Sequence, residues 1–425
     1  MKARFFTLGC KVNQYETQCM REDLLCAGLE EEEAGPGEPA GVCVINTCTV
    51  TAKADSESLR IIRKAVVENP GAFILVTGCL AEMDEERIKK VKGVSAVLRN
   101  DCKKRILDFL PVSSAGGKRG GISFFQGRSR AFIKVQDGCD NRCSYCKVAL
   151  VRGKSRSRDE KEIVDEASRL SANGYREIVL TGICLGSYGK DKDSPGSLAG
   201  LLKGLTRIEG ISRIRLSSIE MADISPELLE LFSGNGKLCP HFHVPLQSGD
   251  DRILAGMRRR YNRSAFLSRV KEIKKHVPGV SITTDVIVGF PGEDEEAFSN
   301  TLRTLKEIQP LRTHVFPFSP RKGTAAAQMS GHLDRETIKR RRIILSRLAQ
   351  ECSREYMQDF IGRESEVVPE EILSARDNKS VFLEGYSANY IRVLIPSRGI
   401  LPDYKTALRV RLEGIISGGM RAEPL

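Results

Sequence analysis

Three cysteines stand at the spacing C-x3-C-x2-C in the stretch DGCDNRCSYC, where Cys139, Cys143 and Cys146 follow the apolar run AFIKVQ. In a β/α barrel the loop at the carboxyl end of a strand faces the active site. Three thiolates this close in sequence can ligate three irons of a [4Fe–4S] cluster, which normally takes four cysteine ligands. One iron would then stay open to an outside ligand. The alternative is a closed zinc site with Cys184 or a histidine as the fourth ligand.

A second set of cysteines occupies equivalent positions after three predicted strands. Cys10, Cys48 and Cys79 end the segments TLGC, INTC and VTGC. The carboxyl ends of parallel strands share one rim, where ligands bind, so these thiols are expected to converge. Gly9 and Gly78 remove side chains beside two of them, which permits the close approach of something bulky. We predict a second three-thiolate cluster site; the alternative is a set of ordinary buried thiols, since free cysteine is often buried.

The elements that position these cysteines fall into blocks. Residues 1–110 alternate strand and helix patterns, which predicts a parallel α/β sheet. Asn13, followed three residues later by Glu16, is predicted to cap the first helix, and Gly28 to end it. Residues 111–127 begin with PVSSAGGKRGG, a composition typical of a linker. The apolar runs that predict the first strands are Arg4–Leu8, Val42–Asn46 and Phe73–Thr77.

The second block, residues 128–360, holds six predicted strands separated by helical patterns. Six βα units are two short of a closed eight-fold barrel, so a partial (β/α)6 barrel is expected. Residues 361–425 contain short β-type runs, which predict a small all-β barrel. The six strands are predicted at Phe132–Gln136, Ile178–Thr181, Ile214–Ser217, His243–Leu246, Ser281–Val288 and Thr313–Phe318.

Composition limits the environment and the partners. The chain has 425 residues, a net charge of +12 and thirteen cysteines. An excess of positive charge favours an anionic partner such as nucleic acid. No apolar run approaches the ~20 residues that span a bilayer, and the amino terminus lacks a signal-peptide pattern. We therefore expect no membrane association and a cytoplasmic location, where cysteines more often bind metals or do chemistry than form disulfides.

The two cysteine sets, in this order, resemble the methylthiotransferase branch of the radical S-adenosylmethionine (SAM) enzymes. The resemblance covers nearly the whole chain. TLGCKVNQYE is similar to the threonylcarbamoyladenosine tRNA methylthiotransferases of the MtaB type, and GYSANYIRV in the last block resembles a TRAM domain, a small tRNA-binding barrel. Further similar stretches are RGKSRSR, TGICLGSYG, LSSIE, HVPLQSGDD, TTDVIVGFPGE and HVFPFSPRKGTAAAQM. One departure is visible, because KVALVRG follows Cys146 where the family commonly has a proline.

The resemblance implies two [4Fe–4S] clusters and SAM as both radical source and methyl donor. Cys139, Cys143 and Cys146 would hold the catalytic radical-SAM cluster. The auxiliary cluster, which carries the sulfur, would be held by Cys10, Cys48 and Cys79. The implied reaction is methylthiolation at C2 of N6-threonylcarbamoyladenosine, just 3′ of the tRNA anticodon. A radical route is chemically reasonable because adenine C2–H is not acidic enough for a side-chain base.

Two sets of contact residues are predicted around these clusters. Polar and glycine segments at strand ends would line the barrel mouth and contact SAM; the candidates are Tyr145, Thr181, Gly182, Ser217, Glu220 and Gln247. Clustered basic and aromatic residues would bind RNA, because phosphate contacts give affinity and exposed loop bases stack on aromatic rings. The RNA candidates are Arg152, Arg156, Arg158, Tyr390 and Arg392.

Expected partners are the tRNA anticodon stem-loop, a reductant protein such as flavodoxin or ferredoxin, and a sulfur donor. Two alternatives stay open. The chain could be a related methylthiotransferase that acts on isopentenyladenosine in tRNA or on a ribosomal protein. It could also be a non-catalytic RNA-binding protein stabilised by metal sites. Six positioned cysteines in two triplets weigh against the last alternative, since structural metal sites are closed by four ligands.

Overall fold

The computed structural model describes residues 1–31, 39–111, 120–191, 196–374, 381–397 and 406–425. The amino-terminal sheet is parallel, in the order β2-β1-β3-β4-β5. Strand β3 is buried along its whole length, as expected of a central parallel strand covered on both faces. The elements of this part are β1 (Lys2–Thr7), α1 (Lys11–Cys26), β2 (Glu30–Glu31), β3 (Val42–Thr47), α2 (Ala52–Glu68), β4 (Phe73–Gly78), α3 (Cys79–Met83), α4 (Glu85–Lys89) and β5 (Ala96–Leu98).

The middle of the chain forms a partial barrel of six parallel strands, which confirms the predicted fold class. Two sheets, β7-β6-β8-β9 and β10-β11-β12, are joined by isolated bridges such as Ser218 to His243. Among the described residues β12 pairs with β11 alone, so the barrel is open between β12 and β6. The strands are β6 (Arg130–Asp137), β7 (Arg156–Ser157), β8 (Glu177–Gly182), β9 (Arg213–Leu216), β10 (His241–His243), β11 (Ser281–Val288) and β12 (Arg312–Pro317).

Helices cover the outside of this barrel and bury apolar stripes against it. One continuous core joins the strands to these helices and includes Ile133, Ile178 and Leu205. The fourth predicted strand was placed too late in the sequence, because the observed strand ends at His243. The helices are α5 (Val148–Arg152), α6 (Glu160–Ala172), α7 (Leu198–Thr206), α8 (Pro226–Gly234), α9 (Asp251–Gly256), α10 (Arg263–His276), α11 (Glu295–Ile308) and α12 (Arg335–Gln358).

The carboxyl-terminal part is a closed five-stranded barrel in the order β13-β14-β15-β17-β16. Val367, Val393 and Val410 are among the side chains that fill its core. Closure removes free sheet edges, which explains how so short a segment forms a stable β structure. Its strands are β13 (Glu364–Ser374), β14 (Val381–Ser387), β15 (Arg392–Pro396), β16 (Leu408–Ile416) and β17 (Gly419–Pro424).

The predicted capping of the first helix is wrong. Helix α1 begins at Lys11, so Asn13 lies inside its first turn, and the N-cap is Cys10 without a side-chain hydrogen bond. The Asn13 Nδ2 group instead donates to the carbonyls of Leu8 and Thr47, at 2.8 and 3.0 Å. Glu16 is likewise removed from the cap and serves as a buried acceptor. The pattern resembled a capping box, but the side chains of Asn13 and Glu16 form tertiary contacts instead.

Residues 112–119 of the predicted linker lie outside the described part of the chain. The segment that follows them is fixed against the barrel. Ile122 and Phe125 are buried in the main core. The Ser123 amide donates to Glu22 of α1 at 2.8 Å. Within its described residues, the second half of the predicted linker is therefore part of the contact between the amino-terminal sheet and the barrel.

Helix α1 joins the amino-terminal sheet to the barrel through buried polar contacts. The Glu16 carboxylate accepts hydrogen bonds from Lys103 at 2.5 Å, from Lys134 at 2.8 Å and from Arg152 at 2.5 Å. On the residue before it, the Tyr15 hydroxyl donates to Glu166 at 2.9 Å. Burial opposes the charge on Glu16, but the three cations hold the pKa of its carboxyl well below the usual range.

The described helices include none long and apolar enough to cross a bilayer.

We predict that Glu16→Gln lowers the free energy of unfolding by about 3–5 kcal/mol, because it leaves buried cations without their shared counter-charge. The midpoint of urea denaturation measures this. A carboxyl with a depressed folded pKa contributes stability above its unfolded pKa and loses it as the pH falls through the folded value. Acid should therefore destabilise the parent protein more than the variant.

The matched control is Glu57→Gln, which removes the same charge from an exposed ion pair with Arg60 on α2. Exposed pairs contribute little to stability, so this variant should keep the parent midpoint. Equal midpoints for Glu16→Gln and Glu57→Gln would contradict the role given to the buried carboxylate.

Candidate functional site

The first thiol trio sits on the rim of the amino-terminal sheet. Cys10 is the N-cap of α1, Cys48 follows β3, and Cys79 opens α3. Cys10 is exposed, whereas Cys48 and Cys79 are buried. Gly9 has φ +98°, and a Cβ on it would lie 3.0 Å from the Cys48 Sγ. The structure therefore brings together the loops after β1 and β3 as predicted from the strand pattern.

The three thiols act on one another electrostatically. Burial raises the pKa of Cys48 to about 11, and the neighbouring Cys79 and Cys10 raise it further. Burial also raises the pKa of Cys79, while Arg152 and Lys103 act in the opposite direction. Three thiols that act on one another, with two cations near Cys79, match the needs of thiolate ligands to a metal cluster.

Gly78 does a different job from the one predicted. Its φ is +99°, and a Cβ there would lie 2.4 Å from the carbonyl oxygen of Thr47 on the adjacent strand. The glycine is needed for the close approach of two strand ends, and not for space beside a bulky group. This approach sets the separation between Cys48 and Cys79.

The second trio occupies the loop after β6, at the mouth of the barrel. Gly138 opens this loop with φ +73°, and a Cβ on it would lie 1.9 Å from the Lys154 carbonyl oxygen, so only glycine fits. The Cys139 amide donates to the Gly153 carbonyl at 3.0 Å, and the Cys146 amide to the Cys143 carbonyl at 3.1 Å. These bonds fold the loop back on itself and bring its three thiols close together.

Charged neighbours act on each sulfur of the second trio. The Arg259 guanidinium donates to the Cys143 Sγ at 3.4 Å and also pairs with Glu220. Burial raises the pKa of Cys146 to about 11, and the nearby Cys143 raises it further. A hydrogen bond from Cys184 lowers the pKa of Cys139 against the effect of burial. Arg259 and Cys184 are thus positioned to stabilise thiolates.

Cys184 is a direct neighbour of this trio. Its thiol is hydrogen-bonded to Cys139, and its sulfur accepts from the Ser187 hydroxyl at 3.1 Å. The Cys184 amide donates to the Gln136 Oε1 at 2.8 Å, which fixes the loop. A fourth sulfur beside the trio is what a closed zinc site would need, so geometry alone leaves that alternative open.

Two of the residues predicted to contact RNA lie at the contact between sheet and barrel. Arg152 is only 3% exposed and donates to Glu16 and to the Asn13 Oδ1, each at 2.5 Å. Arg158 is half-buried and donates to Glu166 at 2.7 Å and to the Tyr15 hydroxyl at 2.9 Å. Both guanidinium groups thus have partners within the protein, and their contact with RNA stays a prediction.

The remaining RNA candidates differ in accessibility. Arg156 is exposed, and its guanidinium donates to the Arg152 carbonyl at 3.1 Å. Arg392 is half-buried and pairs with Glu384 at 2.5 Å. Tyr390 is half-buried and stacks on Tyr386, with 4.9 Å between ring centroids. Its ring centroid also lies 4.5 Å from that of His241 on β10, so the side chain packs between the two barrels.

The predicted SAM contacts lie around the mouth of the barrel. A cleft of about 210 Å³ next to the second trio is lined by residues that include Cys143, Glu220, Arg259 and Tyr261. The Ser217 Oγ is buried and has no hydrogen-bond partner among the described residues, which suits a site completed by a ligand. The other candidates lie at neighbouring strand ends: Thr181 and Gly182 beside Gln136, Gln247 with φ +62°, and Tyr145 against the apolar cluster of Phe290.

Sequence reasoning missed several residues that shape the site. Gln136, Lys103 and Arg259 touch the cysteine loops or their immediate neighbours. Arg259 stood in a run of basic residues, which is also typical of a solvated surface. The pairing of Gln136 with Cys184 depends on two adjacent strands, and no local pattern signals it.

Comparisons with known proteins decide the family. Residues 133–305 match the Radical SAM superfamily, and residues 2–99 match the Uncharacterized protein family UPF0004. The chain is 39% identical to the threonylcarbamoyladenosine tRNA methylthiotransferase MtaB of Bacillus subtilis (strain 168), covering 92% of this chain and 89% of that protein. The MtaB of Thermotoga maritima is 38% identical, covering 92% and 90% of the two chains.

The chain belongs to the radical SAM methylthiotransferase family. A related branch is also similar: the tRNA-2-methylthio-N(6)-dimethylallyladenosine synthase of Moorella thermoacetica is 35% identical over 86% of both chains. Among solved structures, the radical SAM methyltransferase TsrM of Kitasatospora setae superposes with a TM-score of 0.58 at 13% identity, covering 77% of this chain and 76% of that one. This last likeness supports the barrel fold alone.

Family membership resolves the choice of metal. The cofactors of this methylthiotransferase are [4Fe–4S] clusters and SAM, so the closed zinc site is set aside. The residues present fit these groups, because each of two separate places gathers three thiols, and Ser217 leaves an orphaned hydroxyl in the barrel mouth. Assignment of individual cysteines to each cluster stays a prediction.

We predict that Gly9→Ala selectively impairs the amino-terminal cluster. The new methyl group would crowd the Cys48 sulfur in a backbone conformation that L-residues rarely adopt. The iron content measured after anaerobic reconstitution should fall from about eight irons per chain toward about four, and the sulfide content should fall with it.

Gly28→Ala provides the control, because Gly28 also has a positive φ of +84° but nothing within 4 Å of the added methyl group. It shares the backbone strain without the contact to a thiol. Iron contents that fall equally in both variants would attribute the loss to strain alone and refute the role of Gly9 at the cluster.

Proposed function

We propose that this methylthiotransferase acts on tRNA, at C2 of the N6-threonylcarbamoyladenosine just 3′ of the anticodon, and produces the 2-methylthio derivative. The observation that carries the proposal is the presence of two separate thiol trios, each at the carboxyl ends of parallel strands. The substrate is taken from relatives named as threonylcarbamoyladenosine tRNA methylthiotransferases, which are 35–39% identical to this chain.

Each trio would hold one cluster. Cys139, Cys143 and Cys146 would hold the cluster that works with SAM, and Cys10, Cys48 and Cys79 the auxiliary cluster. When bound, the clusters and SAM supply the electron, the hydrogen abstraction at C2, the sulfur atom and the methyl group. Three protein ligands per cluster would leave one iron of each open to SAM or to sulfur.

The chain's own residues would position these groups and protect them from water. The Ser217 hydroxyl, buried and unpartnered, would bond a polar group of SAM. Arg259 would orient the Cys143 sulfur through its hydrogen bond and, through its ion pair, fix the carboxylate of Glu220 at the edge of the cleft. We assign the other SAM contacts to Tyr145, Thr181, Gly182 and Gln247 on the basis of their positions at the barrel mouth.

RNA would approach the open side of the barrel. Arg156 and Arg392 are the candidates that keep solvent access, and their positive charges suit backbone phosphates. An anticodon loop presents unstacked bases, so the target adenine can enter without the melting of a helix. A reductant protein such as flavodoxin or ferredoxin and a sulfur donor would complete the system, and a tRNA substrate favours a cytoplasmic location.

The decisive experiment is an anaerobic turnover assay with reconstituted protein, SAM and anticodon stem-loops. The stem-loops would carry either threonylcarbamoyladenosine or dimethylallyladenosine, and mass spectrometry would identify the nucleoside products. We expect the 2-methylthio product from the first substrate. Product from the dimethylallyl substrate alone would move the enzyme to the related branch of the family.

We predict that single cysteine variants separate the two clusters by function. Cys143→Ala should abolish reductive cleavage of SAM. Cys48→Ala should leave part of that cleavage intact while it stops formation of methylthio product, because the auxiliary trio is a separate site. Chromatography of the SAM fragments, alongside nucleoside mass spectrometry, measures the two activities.

Cys239→Ala is the control for these variants, since Cys239 is buried outside both trios. It should retain both SAM cleavage and methylthiolation. Equal loss of SAM cleavage in Cys48→Ala and Cys143→Ala would show that the trios are not separable sites.

A further inference from the structure

One face of the barrel wall carries a dense set of polar side chains. The register of β10, β11 and β12 puts His243 opposite Thr283, and Asp285 opposite His314. The His243 Nδ1 lies 2.9 Å from the Thr283 Oγ1, and its Nε2 lies 3.2 Å from an Asp285 carboxylate oxygen. The rings of His243 and His314 are 5.8 Å apart. These contacts show that the side chains share one face, the wall of the barrel interior.

Arginines at the base of this interior are neutralised by carboxylates. Glu177 on β8 accepts from Arg215 at 2.9 Å and lies 3.5 and 3.7 Å from Arg130 and Arg213. Two acidic residues of the carboxyl-terminal barrel complete the set: Glu370 pairs with Arg130 at 2.6 Å, and Glu366 with Arg213 at 3.3 Å. Three arginines thus meet three carboxylates, and this group needs no further anion.

Two other cations face the same interior without a counter-charge. Lys11 and Arg312 are half-buried, and in the described part of the chain neither forms an ion pair or a hydrogen bond through its side chain. The Lys11 Nζ lies 6.0 Å from the centroid of the Phe132 ring on β6. The Arg312 Cζ lies 5.7 Å from the centroid of the Tyr390 ring. Side-chain exposure this limited, with no carboxylate partner, is unusual for charged residues.

The two rings that these cations approach lie near each other, because Arg130, two residues before Phe132 on β6, has its guanidinium carbon 5.5 Å from the centroid of the Tyr390 ring. Burial lowers the pKa of His314, and Arg312 and Lys11 lower it further, while Asp285 opposes them. Although burial disfavours its ionisation, Tyr390 has a pKa below the usual value because Arg130, Lys11, Arg215 and Arg312 surround it. The electrostatic potential there therefore favours an anion. The open edge of the barrel between β12 and β6 gives such an anion a way in.

We propose that Lys11 and Arg312 bind the carboxylate of the threonylcarbamoyl group and thereby select this substrate over adenosines with neutral modifications. This inference rests on the proposed function. The threonyl part of the modification ends in a free carboxylate, which two cations can bind strongly by charge-assisted hydrogen bonds. A dimethylallyl group carries no charge, so it would leave both cations unpaired and be rejected.

The position of Lys11 adds a consequence for the chemistry. Lys11 directly follows Cys10, a predicted ligand of the auxiliary cluster. Adjacent residues would therefore hold the cluster that carries the sulfur and the carboxylate of the substrate. Binding of the carboxylate would then fix the modified adenine relative to that cluster. Lys11 and Arg312 are positioning and specificity residues, since neither would touch the reacting C2 atom.

The test compares anticodon stem-loops with four forms of the target adenosine: threonylcarbamoyl, its methyl ester, dimethylallyl and unmodified. Fluorescence anisotropy with anaerobically reconstituted protein gives each dissociation constant. We expect the parent protein to bind the free acid at least about tenfold more tightly than the ester. Lys11→Met and Arg312→Gln should each remove most of this preference, and Lys11→Arg should restore it.

Lys92→Met is the matched control, because Lys92 is exposed on the amino-terminal part and is remote in sequence from either cluster loop. This variant should weaken the binding of all four stem-loops equally or leave it unchanged. Iron content reports whether Lys11→Met still assembles its clusters. If it does not, Arg312→Gln decides the question, since Arg312 lies on a barrel strand.

Equal affinity of the parent protein for acid and ester would overturn the inference, as would an undiminished preference in Arg312→Gln. Product analysis separates this from failure of the proposed function. Methylthiolation of acid and ester at the same rate would support the proposed function and contradict the carboxylate site. A carboxylate preference that is lost in both variants, without methylthio product, supports the site and contradicts the reaction.

Discussion

A single buried carboxylate fixes the amino-terminal sheet, which carries the first thiol trio, against the barrel, which carries the second. Glu16 accepts hydrogen bonds from Lys103 on its own side of the molecule and from Lys134 and Arg152 on the barrel side. Buried charges of this kind are costly to separate, because each would be left unpaired in a medium of low polarity. The contact therefore tolerates little sliding. Helix α1, which begins beside Cys10, is held at a fixed place relative to the barrel strand that precedes the second trio.

The same network affects the sulfur atoms. Arg152 pairs with Glu16 and also contacts Cys79, while it ends the short helix that follows Cys146. One side chain thus touches the first trio and belongs to the backbone segment of the second. Lys103 adds a second positive charge near Cys79. Cations beside cysteines favour thiolates, the form that binds iron. The residues that join the two parts of the molecule are in this way also the residues that prepare the first trio for its cluster.

Much of the fold followed from local sequence patterns. Five of the six barrel strands and the cysteine positions at strand ends were predictable because both depend on short-range alternation and on the shared rim of parallel strands. The interface partners of Arg152 and Arg158 were not, because a run of basic residues has the same appearance whether it is solvated or paired across an interface. Asn13 and Glu16 matched a capping box, because the local pattern does not show that both side chains have partners in distant parts of the chain. Lys11 and Arg312 carried no local signal, since what distinguishes them is that neither has an ion-pair partner within the described part of the chain, in a region assembled from distant strands.

The carboxyl-terminal barrel is fixed to the base of the larger barrel, and this has a consequence for how RNA would be presented. The Arg215 guanidinium donates to the carbonyls of Ala388 and Ser387, at 2.8 and 3.1 Å. The centroid of the Tyr390 ring lies 4.5 Å from that of the His241 ring, and the backbone of Tyr390 has φ +67°. A non-glycine residue held in that conformation indicates that the surrounding contacts outweigh its strain. The resemblance to TRAM domains implies that this small barrel binds tRNA. Its RNA-binding surface would then lie at a fixed distance from the interior of the larger barrel. Selection of the base would then depend on which side chains line the interior, and not on movement of the RNA-binding part.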